Sequence, residues 1–379
     1  MLLVAIGAAA VLLLSGHHVL DLTVYRFGGE AILSEPGRLY DVREPGSGLP
    51  FTYPPIAAVL MVPLALVPLG LAVAAWTVLC VLALGAVLRL ALLSRGWSAT
   101  PTTVAVLTGG ALASEPVWAT LAFGQVNLFL LLAVLVDLLA VRGRARGVLI
   151  GIAAAIKLTP LLFIAYLVLR GEWRAAGTAI AAFLACHLVG FVVLPEASAA
   201  YFGGVAFDPN RVGGVPFASN QSVLGVLTRM GGAEPSTAVW FVVAGALAGV
   251  VLLLAVRVSH TDALLGAGLA GLAMLVASPI SWSHHWVWCV PLAVALWSRS
   301  RPLALVWLAV FASTCIFRVP THDDRELAWA WWQQIVGNAY VWAALLVVVW
   351  LAWDQLRAGR IRPVTSPSST RVPSTPGAV

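Results

Sequence analysis

Asp21 is the first residue whose placement could do chemistry. It follows the apolar run of residues 1–20, where a helix would leave a membrane, and a carboxylate held there is partly desolvated. Desolvation raises its proton affinity toward that of a general base, although an interfacial cap of the following loop would sit at the same place. His284 and His285, adjacent in SPISWSHHW, follow a proline-containing break after the apolar run 263–277. At least one imidazole should point into a cavity, where it could donate to a phosphate. Adjacent residues point in different directions, so a two-histidine metal site is not expected from the pair. Lys157, in IKLTP, is the only lysine. An ammonium at a bilayer centre costs roughly 2.5–3.5 kcal/mol on insertion scales and needs a partner, for which Glu115, Asp137 or an anionic ligand are the candidates. Tyr25, Gln125 and Asn127 of FGQVN, and Asn220 and Gln221 of SNQS, add polar groups that could position a substrate. His17 and His18 read equally well as interfacial anchors.

These residues need a scaffold, and composition says what kind. Of 379 residues, 61% are hydrophobic and 10% charged, against about 25% charged in a soluble domain, so the chain is expected to be an all-α integral membrane protein. Apolar stretches close to the ~20 residues of a transmembrane helix occur at 71–93, 102–122, 126–141, 176–194, 238–257, 263–277, 302–317 and 335–356. Residues 1–20 read as a first helix or a signal peptide, with the helix preferred because the run is long for a signal. Residues 54–70, with Pro63 and Pro68, read as a helix that only dips into the membrane. Residues 148–169, split at Lys157 and Pro160, read as a broken or re-entrant pair. About ten full spans then remain, or 10–13 transmembrane or re-entrant helices, forming one domain over 1–356. Residues 357–379, rich in Pro, Ser and Thr, read as a disordered cytoplasmic tail.

Charge orients the bundle. Short connections at Arg95, Arg142/Arg144/Arg146, Arg170/Arg174, Arg257 and Arg299/Arg301 are cytoplasmic by the positive-inside rule, as is the stretch after Arg357. The longer connections 21–53, 195–237 and 318–334 become outer loops that hold most of the acids, and the polar motifs collect beside them. The net charge of +6 is an orientation signal and gives no reason to infer nucleic-acid binding. The four cysteines lie in apolar runs and read as buried thiols. The sixteen tryptophans read mainly as interface anchors, with those in SWSHHWVW and AWAWWQQ also able to stack on sugars.

The order and spacing of several motifs resemble the actinobacterial polyprenyl-phosphate-mannose-dependent α-(1→2)-mannosyltransferases of the GT-C superfamily. They are DxxVY at Asp21–Tyr25, GxLYD at Gly37–Asp41, FTYPP at Phe51–Pro55, FGQVN at Phe123–Asn127 and IKLTP at Ile156–Pro160. SNQS at Ser219–Ser222, SPISWSHH at Ser278–His285 and DDREL at Asp323–Leu327 complete the set. The resemblance implies a GT-C helical bundle whose outer loops form the active site. The implied reaction is inverting transfer of mannose from a β-linked mannosyl phosphate to the 2-hydroxyl of a mannose on a phosphatidylinositol mannoside, lipomannan or lipoarabinomannan. It implies Asp21 as catalytic base and His285, chosen by position, as the group stabilising the leaving phosphate. Donor or acceptor contacts are then expected from Tyr25, Arg26, Tyr53, Gln125, Asn127, Lys157, Asn220, Gln221, His284 and Arg325.

No cofactor and no nucleotide sugar enter this chemistry. Asp323–Asp324 could take a divalent ion, but a loop salt bridge with Arg325 fits that stretch better. The nearest rival is transfer of another sugar, such as arabinofuranose, from a polyprenyl-phosphate donor. A transporter or lipid flippase would require inverted repeats and polar residues at the midplane, where only Lys157 sits.

Overall fold

The computed structural model describes residues 1–16, 19–208, 211 and 213–360; His17, His18 and tail residues 361–379 lie outside them. The described residues are predominantly helical, and their only β pairings are the isolated bridges Arg43–Pro50 and Asn220–Trp282. In chain order the helices are α1 (Leu2–Leu14), α2 (Leu20–Ser34), α3 (Pro55–Ala65), α4 (Leu69–Ser94), α5 (Pro101–Ala111), α6 (Glu115–Phe123) and α7 (Asn127–Leu139). Next come α8 (Val148–Ile156), α9 (Leu162–Leu169), α10 (Trp173–Val193), α11 (Pro195–Gly203) and α12 (Val223–Gly231). The set ends with α13 (Thr237–Ser259), α14 (Ala263–Ala277), α15 (Cys289–Trp297), α16 (Arg301–Ala312), α17 (Trp331–Gly337) and α18 (Ala339–Arg360).

Local chemistry cuts the apolar runs into these pieces. Pro55, Pro101, Pro116, Pro195 and Pro302 sit in first turns, where a missing N–H leaves no helical bond unmade. The side chains of Thr100, Ser222, Ser236, Asp262 and Ser300 accept from the backbone N–H three residues on and fix the starts of α5, α12, α13, α14 and α16. Pro160 cannot continue α8, so that helix stops at Ile156 and leaves Lys157 extended at its end. The first helix is shorter than the expected twenty residues, and α18 runs to Arg360, past the expected limit of 356.

Among the described residues, four helices are long and apolar enough to cross a membrane: α4, α10, α13 and residues Ala339–Arg357 of α18. A fifth span forms if α5 and α6, bent by 84°, count as one, and six shorter apolar helices of 10–17 residues, α14 among them, accompany them. Their outer faces are greasy: Ile180, Leu184 and Leu188 make an exposed stripe one turn apart along α10. By contrast α14 lies at the centre, with every residue from Leu264 to Val276 buried. Around it α4, α7, α9, α13 and α15 close the core. This is a polytopic helical membrane bundle.

The expected basic connections meet at one end. Arg95 pairs with Asp262 at 2.8 Å, Arg299 lies 3.5 Å from Asp262 and 3.8 Å from Asp354, and Glu172 joins Arg170 at 2.9 Å and also Arg146. Asp137 accepts from the backbone N–H groups of Gly147, Leu149 and Ile150 and so caps α8 at this same end. The candidate catalytic residues lie at the opposite end of α7. All four cysteines are free, but only Cys80 and Cys289 are fully buried; Cys186 and Cys315 keep part of their surface open.

Candidate active site

Asp21 stands in the first turn of α2, outside the candidate spans, where the unpaired N–H groups of a helix start favour a carboxylate. Tyr25 follows one turn later on the same face. Against this turn packs the sharp bend from α6 into α7. Gly124 ends α6 with φ 70°, and a β-carbon there would lie 2.5 Å from the β-carbon of Leu22, so only glycine permits the approach. The approach places Gln125 beside Asp21. Its amide N–H donates to the Asp21 carboxylate, and its oxygen accepts from the hydroxyls of Tyr25 at 2.8 Å and Tyr53 at 3.2 Å. Those hydroxyls are themselves 2.8 Å apart. Burial pushes the Asp21 carboxyl up to about 6, against the lowering effects of the Gln125 hydrogen bond and the Lys157 charge.

Lys157 reaches the same place from the broken end of α8. Its Nζ lies 2.9 Å from His285 Nε2, donates to Asn127 Oδ1 at 3.2 Å, and sits 5.5 Å from the centre of the Tyr53 ring. An ammonium has only protons to offer, so Nε2 of His285 accepts and the ring proton resides on Nδ1, free to donate elsewhere. The expected partners Glu115 and Asp137 do not meet Lys157. Glu115 accepts from Ser283 Oγ at 2.8 Å and Tyr340 at 2.7 Å, and Asp137 is spent on capping α8.

A polar lattice fixes the turn that holds the two histidines. The carbonyl of His284 accepts from Thr120 Oγ1 at 2.9 Å and Asn127 Nδ2 at 2.8 Å. Asn220 Oδ1 accepts from the backbone of Ser281 at 3.0 Å, the backbone N–H of Gln221 donates to the Ser281 carbonyl at 2.8 Å, and Ser222 Oγ donates to the Pro279 carbonyl at 2.7 Å. The SNQS stretch thus clamps SPISW through the Asn220 side chain and the Gln221 backbone, while the Gln221 Nε2 donates to the carbonyls of Ala218 and Gly337, both at 2.7 Å. The imidazoles of His284 and His285 are 4.7 Å apart and nearly perpendicular. His285 meets Lys157. His284 is buried against Phe123 with neither ring nitrogen hydrogen-bonded.

Three further expected contact residues also point elsewhere. Arg26 donates to the carbonyls of Leu64, Ala65 and Val67 at the end of α3 and pairs with Glu30, because those last carbonyls have no helical partner. Arg325 is exposed and donates to the carbonyls of Thr321 and His322, so the expected salt bridge within Asp323–Arg325 is replaced by backbone contacts. Tyr25 is buried behind Gln125 at 1% exposure, a support for that amide more than a surface for substrate. Trp286 and Trp288 are core residues and are not open to a sugar, whereas Trp331 is exposed. The sequence reading missed Thr120, Tyr340 and the fully buried Arg229, which donates to Asn338 Oδ1 and to the carbonyls of Pro216, Phe217 and Asn220. An arginine within the apolar run of α12 was a visible signal for the last.

The sequence profile of glycosyltransferase family 87 matches residues 51–279. A polyprenol-phosphate-mannose-dependent alpha-(1-2)-phosphatidylinositol mannoside mannosyltransferase of Mycobacterium tuberculosis is 34% identical over 376 residues, covering 89% of this chain and 85% of its own. A polyprenol-phosphate-mannose-dependent alpha-(1-2)-phosphatidylinositol pentamannoside mannosyltransferase of Mycolicibacterium smegmatis is 32% identical over 368 residues, covering 91% and 88%. An alpha-(1->3)-arabinofuranosyltransferase of Corynebacterium glutamicum is more distant, at 25% identity over 331 residues, covering 84% and 77%. No solved structure matches. The profile covers Gln125, Asn127 and Lys157, and the relatives extend along most of the rest; the chain belongs to glycosyltransferase family 87.

Proposed function

We propose that this chain transfers mannose from polyprenyl-phosphate-mannose to the 2-hydroxyl of a mannose on a phosphatidylinositol mannoside or lipomannan-type acceptor, forming an α-(1→2) bond. One observation supports this best: a partly buried carboxylate and an ammonium–imidazole pair lie within electrostatic reach of each other at one end of an apolar bundle, linked through Gln125, Tyr53 and Asn127. A base and an anion holder linked in this way suit attack by a hydroxyl and departure of a phosphate. The relatives' names support the sugar, the carrier and the acceptor class.

In the proposed reaction the acceptor hydroxyl gives its proton to the Asp21 carboxylate as its oxygen bonds to C1 of mannose. The bond from C1 to the phosphate oxygen breaks on the opposite side, and its electron pair stays on that oxygen, so configuration inverts. Lys157 and the Nδ1–H of His285 meet the growing phosphate charge, an effect strongest where water is excluded. Gln125 holds the base in place, and a displacement of 1 Å could cost on the order of 10²-fold in rate. No resident metal or cofactor takes part. The arginine-rich end faces the cytoplasm by the positive-inside rule, which puts Asp21 on the extracytoplasmic side of the plasma membrane.

The test is transfer in nanodiscs from synthetic polyprenyl-phosphate-mannose, and separately from polyprenyl-phosphate-arabinose, to a purified phosphatidylinositol mannoside. Mannose transfer with an α-(1→2) product is expected. Arabinose transfer alone would replace the donor assignment, and no transfer from either donor would reject the proposal.

A further inference from the structure

Arg229 lies near the end of α12 at 1% exposure, and the displacement step gives it no part. Its guanidinium makes five hydrogen bonds, all to neutral oxygens. Nε and Nη2 donate to Asn338 Oδ1 at 2.8 and 2.6 Å, Nη2 also donates to the Asn220 carbonyl at 2.9 Å, and Nη1 donates to the carbonyls of Pro216 and Phe217, both at 3.2 Å. A buried cation bonded only to neutral groups is a costly way to hold segments together. What the guanidinium offers in return is direction, with five N–H groups fixed in one plane. Gly225, one turn earlier on α12, makes room for it: a β-carbon there would lie 2.6 Å from the Asn220 carbonyl oxygen and 3.0 Å from Nη1.

The contacts run in two directions. Asn338 sits at the break between α17 and α18, where its Nδ2 donates to the Gln334 carbonyl at 2.8 Å, and Gln334 Nε2 donates back to the Arg229 carbonyl at 2.8 Å. One side of the guanidinium is therefore tied to the start of a helix long enough to span the membrane. The other side holds the carbonyls that lead into SNQS, and this arm grips the histidine turn at three points. Asn220 Oδ1 accepts from the Ser281 N–H, the Gln221 N–H donates to the Ser281 carbonyl, and Ser219 Oγ accepts from the Ser283 N–H at 3.3 Å. One more bond carries the grip onward, since the His285 N–H donates to the Trp282 carbonyl at 2.7 Å. We infer that Arg229 is a positioning residue for the leaving-group side of the site: it fixes the SNQS arm against α18 and, through the Ser281–Ser283 turn, holds the His285 ring where Nε2 accepts from Lys157. Its effect on rate rests on the proposed phosphate-leaving reaction, whereas the placement of the ring does not depend on which substrate is transferred.

The first measurement needs no substrate. In nitrogen-15 spectra of the histidine-labelled full chain in nanodiscs, native His285, identified by the signal lost in His285→Gln, should show a single tautomer with its proton on Nδ1. Arg229→Lys keeps the charge but loses the planar fork, and it should give mixed tautomers at His285. A folded Arg229→Lys variant with the native His285 signal would overturn the inference. In the transfer assay Arg229→Lys should lower kcat per folded molecule by about tenfold or more, with KM for donor and acceptor within about twofold of native. Lower thermal stability with unchanged kcat would make Arg229 a structural residue only and would overturn the inference too. Asn220→Ala opens the arm's own grip, so the double variant with Arg229→Lys should be within about twofold of the slower single variant. Losses that multiply would overturn a route through the arm. Where Arg229→Lys does not fold, Gly225→Ala pushes the guanidinium off the Asn220 carbonyl with every charge kept, and it should reproduce the mixed tautomers and the slower kcat. The two readings fail separately: mixed tautomers in the variants, with no mannose transfer by the native chain, remove only the proposed function. Native mannose transfer with His285 unchanged in the variants removes only the positioning role.

Discussion

At the arginine-rich end, Asp262 is 3% exposed with Arg95 at 2.8 Å and Arg299 at 3.5 Å, and Glu172 joins Arg146 and Arg170. At the other end, Lys157 is held by two neutral groups, Asn127 and His285, and Asp21 by the neutral amide of Gln125. The first arrangement satisfies charges with opposite charges in direct contact and locks helices together. The second keeps a carboxylate and an ammonium within electrostatic reach of each other, each positioned by dipoles, so that neither is fully quenched by the protein. Charges arranged in the second way remain available to a substrate hydroxyl and a leaving phosphate. The comparison predicts that substitutions at the two ends separate activity from stability.

The largest effect on transfer is expected at Asp21. Asp21→Asn should lower mannose transfer by about 10²–10⁴-fold in steady-state assays, the usual range for a lost general base, with little change in thermal unfolding. Lys157→Met should follow, at about 10²–10³-fold in kcat, because the leaving phosphate loses its cation; Lys157→Arg should recover part of that loss. Gln125→Leu should lower kcat on the order of tenfold by loosening the base. It should also move the acid limb of the pH profile upward: Gln125 lowers the Asp21 proton affinity, and without its hydrogen bond the carboxyl loses its proton at higher pH. Asp262→Asn inverts the pattern. It leaves Arg95 and Arg299 without their shared carboxylate and should destabilise the fold by about 3–5 kcal/mol in thermal or denaturant unfolding. Transfer per folded molecule should stay within about twofold. The smallest effects are expected at Arg325→Ala and on adding a chelator, both within about twofold, because Arg325 holds only loop carbonyls and the proposed chemistry uses no metal.

The scaffold was legible because local chemistry wrote it. Ser236 and Asp262 cap α13 and α14 at the edges of their apolar runs, and Pro160 breaks the chain where the single lysine must be exposed to partners. The family resemblance also read through, since its motifs are short and ordered. Pairing across the chain did not. Gln125 finds Asp21 from 104 residues away, and the link depends on Gly124 allowing the backbone close to Leu22, a fact of shape that residue types do not encode. Glu115 looked free to neutralise Lys157, yet Tyr340, 225 residues on, and Ser283 take both its oxygens. Arg26 shares the Asp21 helix, but one residue past Tyr25 turns it by about 100°, toward the unpaired carbonyls after α3. Asn220 and Gln221 looked like cavity groups because polar residues near lipid usually are, but backbone groups claimed them first, the SPISW turn for Asn220 and the carbonyls of Ala218 and Gly337 for Gln221.

The most direct test of the central claim is the pH dependence of kcat/KM for mannose transfer by the native chain, measured beside the residual activity of Asp21→Asn. A base held at about 6 predicts a rate that falls below about pH 6 as the carboxyl takes up its proton, with that limb absent in Asp21→Asn. A native profile flat through that region, or an Asp21→Asn variant that keeps the same acid limb, would contradict the assignment of Asp21 as the base.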